Sequence, residues 1–209
     1  MKSSLKNMVL CLLGITLVCS AAVGYIYKIT VEPIARAKAD NIKAALSQVL
    51  PTFDQSTSQS VEIDAMPITV HTAAADGATV GYAVETMTKS GFSGEFRLMV
   101  GFNPDGTVYG IKVLEHSETP GLGSKMTDEG NPLLLSFQEK SPASMSLKVK
   151  KDGGDVDALT AATISSRAYV DAVARAYNAL IQATGWEADA VSGATVQSVI
   201  KEEGGEDNE

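Results

Sequence analysis

The stretch "GEFRLMVGFNPDGTVYGIKVLEH", residues 94–116, has the pattern of two β-strands joined by a tight turn. Both halves are rich in β-branched and aromatic residues, which favour strands. In the connecting Asn103-Pro104-Asp105-Gly106, proline presets φ at one turn position and glycine permits a positive φ at another. The stretch therefore predicts a β-hairpin, and with it an antiparallel sheet.

Other stretches extend this sheet. "ITVHTA" (68–73) and "TVGYAVET" (79–86) share the strand composition and precede the hairpin. "SMSLKVKK" (144–151) predicts a further strand, ended by the turn Asp152-Gly153-Gly154. The polar, Ser/Thr-rich "TFDQSTSQS" (52–60) predicts a loop or linker.

Helical periodicity appears on both sides of the strands. "IARAKADNIKAALSQVLP" (34–51) predicts a helix that Pro51 ends. A second helix is predicted beyond Thr163, with one apolar face formed by Ile164, Ala168, Val173, Tyr177 and Leu180. The fold class is therefore α+β, a twisted antiparallel sheet packed by helices. The expected organisation is a tail and anchor at 1–28, a helical connector and loop at 29–60, one domain at 61–200 and an acidic tail at 201–209.

The run "MVLCLLGITLVCSAAVGYIY", from Met8 to Tyr27, contains no charged residue and is long enough to cross a membrane as a helix. A cleaved signal peptide is the alternative, with Ser20-Ala21-Ala22 as the cleavage site. Because the apolar run continues past that site, an uncleaved anchor is favoured. Lys2 and Lys6 precede it, which favours a cytoplasmic N-terminus and a domain on the opposite side of the membrane.

Composition excludes several function classes. The chain has 209 residues and a net charge of −8, so it lacks the basic surface that nucleic-acid binding requires. Its two cysteines, Cys11 and Cys19, both lie in the apolar run, and His71 and His116 are its two histidines. The domain therefore has no means to form a disulfide, a cysteine metal site or a Cys–His nucleophile pair. We predict no metal site and no catalytic residue.

Two segments remain as candidates for ligand binding. The first, "ETPGLG", comprises Glu118, Thr119, Pro120, Gly121, Leu122 and Gly123, and follows a predicted strand directly. Proline followed by glycine is typical of a type II turn, so a tight connection is one interpretation. Because a glycine-rich turn also exposes backbone N–H groups, contact with a ligand is the other.

The second segment, "DALTAATISSR" (157–167), has the composition of a helix start. Asp, Thr and Ser side chains cap the free N–H groups of a first turn, so a well-capped helix is one interpretation. Thr160, Thr163, Ser165 and Ser166 nevertheless supply more hydroxyls than one cap needs, and Arg167 follows them. A phosphate here would find donors, the helix dipole and a cation together. The segment "DAVSGAT" (189–195) repeats its first part.

Taken together, "SETPGLGSKM" (117–126) and "VDALTAATISSRAYVDAV" (156–173), behind one N-terminal anchor, resemble the FMN-binding G subunit of the Rnf electron-transport complex. The C subunit of the sodium-translocating NADH:quinone oxidoreductase is similar. The resemblance covers nearly the whole chain and implies an FMN-binding domain over residues 61–200. The cofactor contacts that it implies are Glu118, Thr119, Gly121, Leu122, Gly123, Thr160, Thr163, Ser165 and Ser166.

In that family, the phosphate of FMN is esterified to a threonine in the pattern Asp-x-x-[Ser/Thr]-Gly-Ala-Thr. The matching threonine is Thr163 in the first copy and Thr195 in the second. The first copy has Ala161 where glycine is usual, but keeps Arg167 and a full helix behind it. The second keeps Gly193 but is followed closely by an acidic tail. Thr163 is therefore the favoured site of covalent FMN, with Thr195 as the alternative.

The function that the resemblance implies is that of an electron carrier in a membrane-bound, ion-translocating ferredoxin:NAD oxidoreductase. The implied partners are the other subunits of the complex, the membrane lipid and a flavin transferase that attaches FMN outside the cytoplasm. The residues alone leave two alternatives open. One is a membrane-tethered binding or assembly module that holds a phosphorylated ligand non-covalently, without a redox role, and the other is a purely structural subunit.

Overall fold

The computed structural model of the protein describes residues 5–186. The repeated segment at 189–195 and the predicted acidic tail at 201–209 lie outside the described residues. Contacts divide the chain into two units, with the boundary between Ala44 and Ala45.

A single long helix, α1 (Leu5–Val49), begins the described chain and contains Pro33. The large apolar side chains of its first part are exposed, Leu10 at 68% and Val23 at 68% among them. The helix is long and apolar enough to cross a membrane, judged by length and composition. Its bounds include both the predicted apolar span and most of the helix predicted over 34–51.

Five strands form one antiparallel sheet in the simple order β1-β2-β3-β4-β5. The strands are β1 (Gln55–Ile63), β2 (Met66–Ala75), β3 (Ala78–Gly91), β4 (Gly94–Phe102) and β5 (Val108–Glu115). Helices α2 (Pro132–Phe137) and α3 (Thr163–Thr184) follow, and short 3₁₀ helices lie at Gly123–Thr127, Pro142–Ser144 and Lys150–Asp152. The predicted α+β class and antiparallel sheet are confirmed.

The hairpin predicted at 94–116 is β4–β5, and its turn forms for the expected reason. The Gly106 amide donates to the Asn103 carbonyl (2.9 Å), and the Asn103 amide donates to the Thr107 carbonyl (2.8 Å). Gly106 has φ +81°, a conformation that costs glycine little.

One face of the sheet forms the core with α3. Phe96, Leu98, Val100 and Phe102 alternate along β4 and are buried, as the two-residue period of a strand requires. Helix α3 packs mainly on β3 and contributes small residues to this core, Ala172, Ala176 and Ala179 among them, so that its backbone approaches the sheet closely. At one such approach, the buried Thr86 hydroxyl donates to the Ala172 carbonyl (3.2 Å).

The predicted apolar face of α3 is confirmed in its middle and wrong at its start. Ala168, Val173 and Leu180 are buried, and Tyr177 packs against the core. Ile164, however, is 48% exposed, because it lies in the first turn of α3 and borders a cleft.

The opposite face of the sheet holds the end of α1. Ala45, Leu46 and Val49 in its last turns are buried. Gly101 makes this packing possible, since a Cβ at that position would lie 1.7 Å from the Val49 carbonyl oxygen. A glycine is therefore required by the close approach of two backbones.

The loop predicted over 52–60 is wrong from Gln55 onward, because Gln55–Ile63 forms strand β1 at the edge of the sheet. Its backbone pairs with β2 in continuous register from Gln55 opposite Ala74 to Ile63 opposite Met66. The side chains of its first six residues are exposed, so neither face shows an apolar pattern. Polar composition is a normal way of protecting an edge strand, and it conceals the strand from a reading of the sequence.

The strand predicted over 144–151 is also wrong. The segment ends in the 3₁₀ helix Lys150–Asp152, and Val149 makes a single isolated bridge to Val156. Local partners satisfy the backbone, since the Ser146 amide donates to the Asp155 carboxylate (2.7 Å). The turn predicted after it does form, with Gly153 at φ +82°.

Candidate functional site

A cleft of about 150 Å³ opens where three segments meet. The segments are the turn between β3 and β4, the "ETPGLG" stretch after β5, and the start of α3. The lining residues are Phe92, Glu118, Thr119, Leu122, Gly123, Ala161, Ala162, Thr163, Ile164 and Ser165. The fold therefore brings together, at one cleft, the two segments that the sequence indicated as candidates for ligand binding.

The "ETPGLG" stretch forms the predicted tight turn. The Leu122 amide donates to the Thr119 carbonyl (3.1 Å), and Gly121 has φ +76°, as the third position of a type II turn requires. Gly123 is buried beneath the cleft, where a Cβ would lie 2.6 Å from Oε2 of Glu118 and 2.7 Å from the Ser165 hydroxyl. The first glycine thus shapes the turn, and the second leaves space for Glu118.

Glu118, a residue that is only 4% exposed, connects the three segments through its carboxyl group. Its Oε2 accepts a hydrogen bond from the Ser165 hydroxyl (2.9 Å) at the start of α3. Its Oε1 accepts from the Ser93 amide (3.3 Å) in the turn between β3 and β4. One carboxyl group therefore holds together the three segments that form the cleft.

The start of α3 has an open first turn. Ala162 is the N-cap residue, Thr163 is the first helical residue, and no described side chain caps the helix. The predicted cap by Asp, Thr or Ser is therefore wrong. The Ser166 hydroxyl instead accepts from the Leu159 amide (3.0 Å) and donates to the Ala162 carbonyl (2.9 Å), which holds the preceding turn in place. The N–H groups of a helix that lacks a side-chain cap are available to a ligand.

Ala161 lies at the edge of the cleft with φ +59°, in the left-handed region that L-residues rarely occupy. Because its methyl group is exposed, burial of the side chain does not offset the cost of this backbone conformation. This is the position at which the sequence pattern departs from glycine, and the local backbone keeps the conformation that glycine would adopt.

The predicted site residues divide into two groups. Those that line the cleft are Glu118, Thr119, Leu122, Gly123, Thr163 and Ser165. Those that do not line it are Gly121, Thr160 and Ser166. Thr160 is exposed, whereas Ser166 is buried and bonded within its own turn.

Arg167, which we expected to supply a cation to the phosphate, is absent from the lining of the cleft. Its guanidinium group forms a two-pronged pair with Asp152, with both N–O distances 2.7 Å. Hydrogen bonds from Arg167 lower the pKa of the Asp152 carboxyl. Asp157, the first residue of the motif, pairs with Lys150 (2.7 Å). Both charged residues of the motif are thus engaged by neighbours.

Three exposed apolar side chains surround the cleft, and the sequence indicated only one of them. Phe92 is 65% exposed, Ile164 48% and Leu122 41%. Phe92 lies in the glycine- and serine-rich turn "SGFSG" (90–94), where an aromatic residue has no core to join. An aromatic residue in such a turn is the feature by which the sequence could have indicated Phe92 as a site residue. We call Phe92, Leu122 and Ile164 the apolar rim.

The arrangement suits a ligand with an anionic end and a flat apolar body. The open first turn of α3 offers N–H donors and the positive end of a helix dipole. The apolar rim offers a surface for an aromatic ring. The cleft volume of about 150 Å³ is below the roughly 300–1,000 Å³ of closed ligand pockets, so a large ligand would remain partly exposed. FMN has both of these chemical parts, and the residues present fit it.

Comparison with known proteins gives a consistent result. Residues 91–178, which contain the whole cleft, match the FMN-binding domain family. The chain is 37% identical over 187 residues to the G subunit of the ion-translocating oxidoreductase complex of Shewanella amazonensis, covering 83% of this chain and 86% of the relative. The G subunits from Pasteurella multocida (36% identical, covering 76% of this chain and 85% of the relative) and Vibrio cholerae (35%, 76% and 82%) are similar. The chain therefore belongs to the G-subunit family of ion-translocating oxidoreductase complexes and carries an FMN-binding domain.

Proposed function

We propose that this chain is an electron-carrier subunit of an ion-translocating oxidoreductase complex of the Rnf type, with FMN held at the cleft. Its relatives are named as subunits of such a complex, and its FMN-binding domain contains every cleft residue. When bound, FMN supplies the redox chemistry, while the protein supplies attachment, orientation and electrostatics. The other subunits are the expected donor and acceptor of electrons.

Within this function, we propose that Thr163 carries FMN covalently through a phosphoester bond. The supporting observation is that Thr163 is the first residue of α3 and lines the cleft, where no described side chain caps the helix. Its hydroxyl is the one group of that side chain able to form an ester. The first-turn N–H groups and the helix dipole stabilise the negative charge of a phosphate placed there.

The apolar rim is the proposed contact surface of the flavin ring. Phe92 comes from the turn between β3 and β4, Leu122 from the turn after β5, and Ile164 from α3. Contact with side chains from three separate elements would orient a planar ring. Because the cleft volume is only about 150 Å³, a ring held there would remain accessible to a redox partner, which suits a carrier that exchanges electrons between neighbours.

We further propose that α1 is an uncleaved, single-pass anchor and that the FMN-binding domain lies outside the cytoplasm, where a flavin transferase attaches the cofactor. The apolar run up to Tyr27 and the basic residues before it support this orientation. Protease added to sealed, right-side-out vesicles should digest the domain. Digestion only after the vesicles are opened would contradict the orientation and the site of flavin transfer.

The attachment site is tested by replacing Thr163 with valine in the full chain, co-expressed with a flavin transferase. Valine keeps the β-branched shape and removes the hydroxyl oxygen, so the domain should fold without covalent flavin. Thr79→Val is the matched control, because Thr79 is exposed in β3, lies outside the cleft and is not part of the motif. Thr195→Val tests the second copy of the motif. Both are expected to retain the flavin.

Trypsin separates the two candidate threonines. Residues 152–167 form one peptide with Thr163, and residues 176–201 form another with Thr195. We expect the mass of FMN on the first peptide. FMN found only on the second would refute the assignment, and FMN on both would show two attachment sites. A yellow protein that loses its flavin on denaturation would favour the non-covalent alternative.

A further inference from the structure

The buried carboxyl group of Glu118 is more than a link between segments. Glu118 lines the cleft while being 4% exposed, and burying a carboxyl group is costly unless it is well compensated. Gly91 and Gly123 leave room for it, since a Cβ at these positions would lie 2.7 Å from Oε1 and 2.6 Å from Oε2, respectively. A glutamine could make hydrogen bonds to the same two partners, Ser165 and Ser93. These hydrogen bonds alone therefore do not explain why the residue is an acid.

Hydrogen-bond donors meet both oxygens of this carboxyl group. Both oxygens accept hydrogen bonds, one from the Ser165 hydroxyl (2.9 Å) and one from the Ser93 amide (3.3 Å). An ionised carboxylate is an acceptor at both oxygens, which matches this pattern. The start of α3, to which Ser165 belongs, contributes the positive end of the helix dipole. Glu118 is also the one acidic residue among those that line the cleft.

We propose that Glu118 is a positioning and tuning residue, which joins the three walls of the cleft and holds the reduction potential of the bound flavin low. This inference rests on the proposed function, because it requires FMN at the cleft. A flavin that takes up two electrons and one proton gains one negative charge relative to its oxidised form. A nearby negative charge in a site of low dielectric constant opposes that gain. Glu118 thereby makes the carrier a stronger reductant toward its acceptor.

The test compares variants that separate charge from structure, in the full chain carrying its flavin. Glu118→Gln removes the charge but keeps both links, because its amide oxygen accepts from the Ser93 amide and its NH₂ group donates to the Ser165 hydroxyl oxygen. Glu118→Ser is a second neutral variant in case the first does not fold; because it also removes both links, its potential is read against that of Ser165→Ala. Glu118→Asp keeps the charge. Ser165→Ala removes one link and also keeps the charge.

The midpoint potential is measured by dithionite titration with redox mediators, and folding is checked by thermal unfolding. We expect a positive shift in both neutral variants, little shift in Glu118→Asp, and no positive shift in Ser165→Ala. An unchanged potential in a folded, flavin-loaded neutral variant would overturn the proposal. So would an equal positive shift in Ser165→Ala, since loosened packing would then explain both results.

The same samples separate this inference from the proposed function. Flavin that dissociates on denaturation contradicts covalent attachment, but its potential in the folded protein still tests Glu118. A chain that holds no flavin in either state contradicts the proposed function and this inference together.

Discussion

Ala161 offers the sharpest test of how the backbone shapes the cleft. Its φ of +59° costs an L-residue about 1–2 kcal/mol relative to glycine. Glycine in turn loses more conformational entropy on folding, roughly 0.5–1 kcal/mol. Because the Ala161 side chain is exposed, no buried contact is lost when it is removed. The difference predicts that Ala161→Gly stabilises the domain by about 1 kcal/mol.

For a chain of this size, a gain of about 1 kcal/mol corresponds to a rise in melting temperature of roughly 2–4 °C. Trp186 is the single tryptophan, and its ring packs edge-on against Tyr82 at a centroid distance of 5.8 Å. Its fluorescence therefore reports unfolding of the domain in the purified full chain, independently of α1. Flavin attachment at Thr163 should be unchanged or improved, because the same backbone conformation becomes easier to adopt.

Two controls distinguish backbone strain from a general effect of glycine. Ala162→Gly, at the neighbouring φ of −133°, relieves no strain and should lower the melting temperature. Gly121→Ala places a methyl group at φ +76° with no atom within 4 Å, so it should cost about 1 kcal/mol through strain alone. If Ala161→Gly destabilised the domain as much as Ala162→Gly does, the left-handed conformation at Ala161 would be refuted.

Three further predictions address the cleft and its supports. Phe92→Ser should alter the visible absorption of the bound flavin while changing stability by less than about 0.5 kcal/mol, because Phe92 is 65% exposed; an unchanged spectrum would remove it from the proposed ring contact. Gly101→Ala should lower the unfolding free energy by about 1–3 kcal/mol or more, because its Cβ would overlap the Val49 carbonyl. Gly110→Ala is its control, with 3.6 Å to the nearest atom, and equal losses in denaturant titrations would contradict this packing. Arg167→Ala should keep covalent flavin, as read by in-gel fluorescence, since Arg167 is absent from the lining of the cleft; loss of flavin from folded protein would reinstate it as a phosphate ligand.

Local signals in the sequence were sufficient for much of this fold. An uncharged run as long as Met8–Tyr27 has few structural uses other than spanning a membrane, and α1 includes it. The turn at 103–106 depends on the backbone preferences of Pro104 and Gly106, so the β4–β5 hairpin could be predicted without its neighbours. The middle of α3 follows from the period of its apolar residues.

The sequence was insufficient to predict structure that depends on which distant segment or side chain a residue pairs with. Strand β1 is polar because it lies at a sheet edge, and it becomes a strand through hydrogen bonds with β2. The charged residues of the 157–167 motif form ion pairs whose geometry the tertiary structure decides, and Arg167 turns to Asp152 for that reason.

The cleft itself shows the same division between sequence and tertiary structure. Two motifs could be singled out by composition, and both line it. The two motifs meet through the hydrogen bond between Glu118 and Ser165, which are 47 residues apart in the chain. Only the packing of α3 on the sheet brings these two residues together. The apolar rim gained Phe92 and Ile164 in the same way. Exposure depends on what the rest of the chain covers, and no local pattern of residues carries that information.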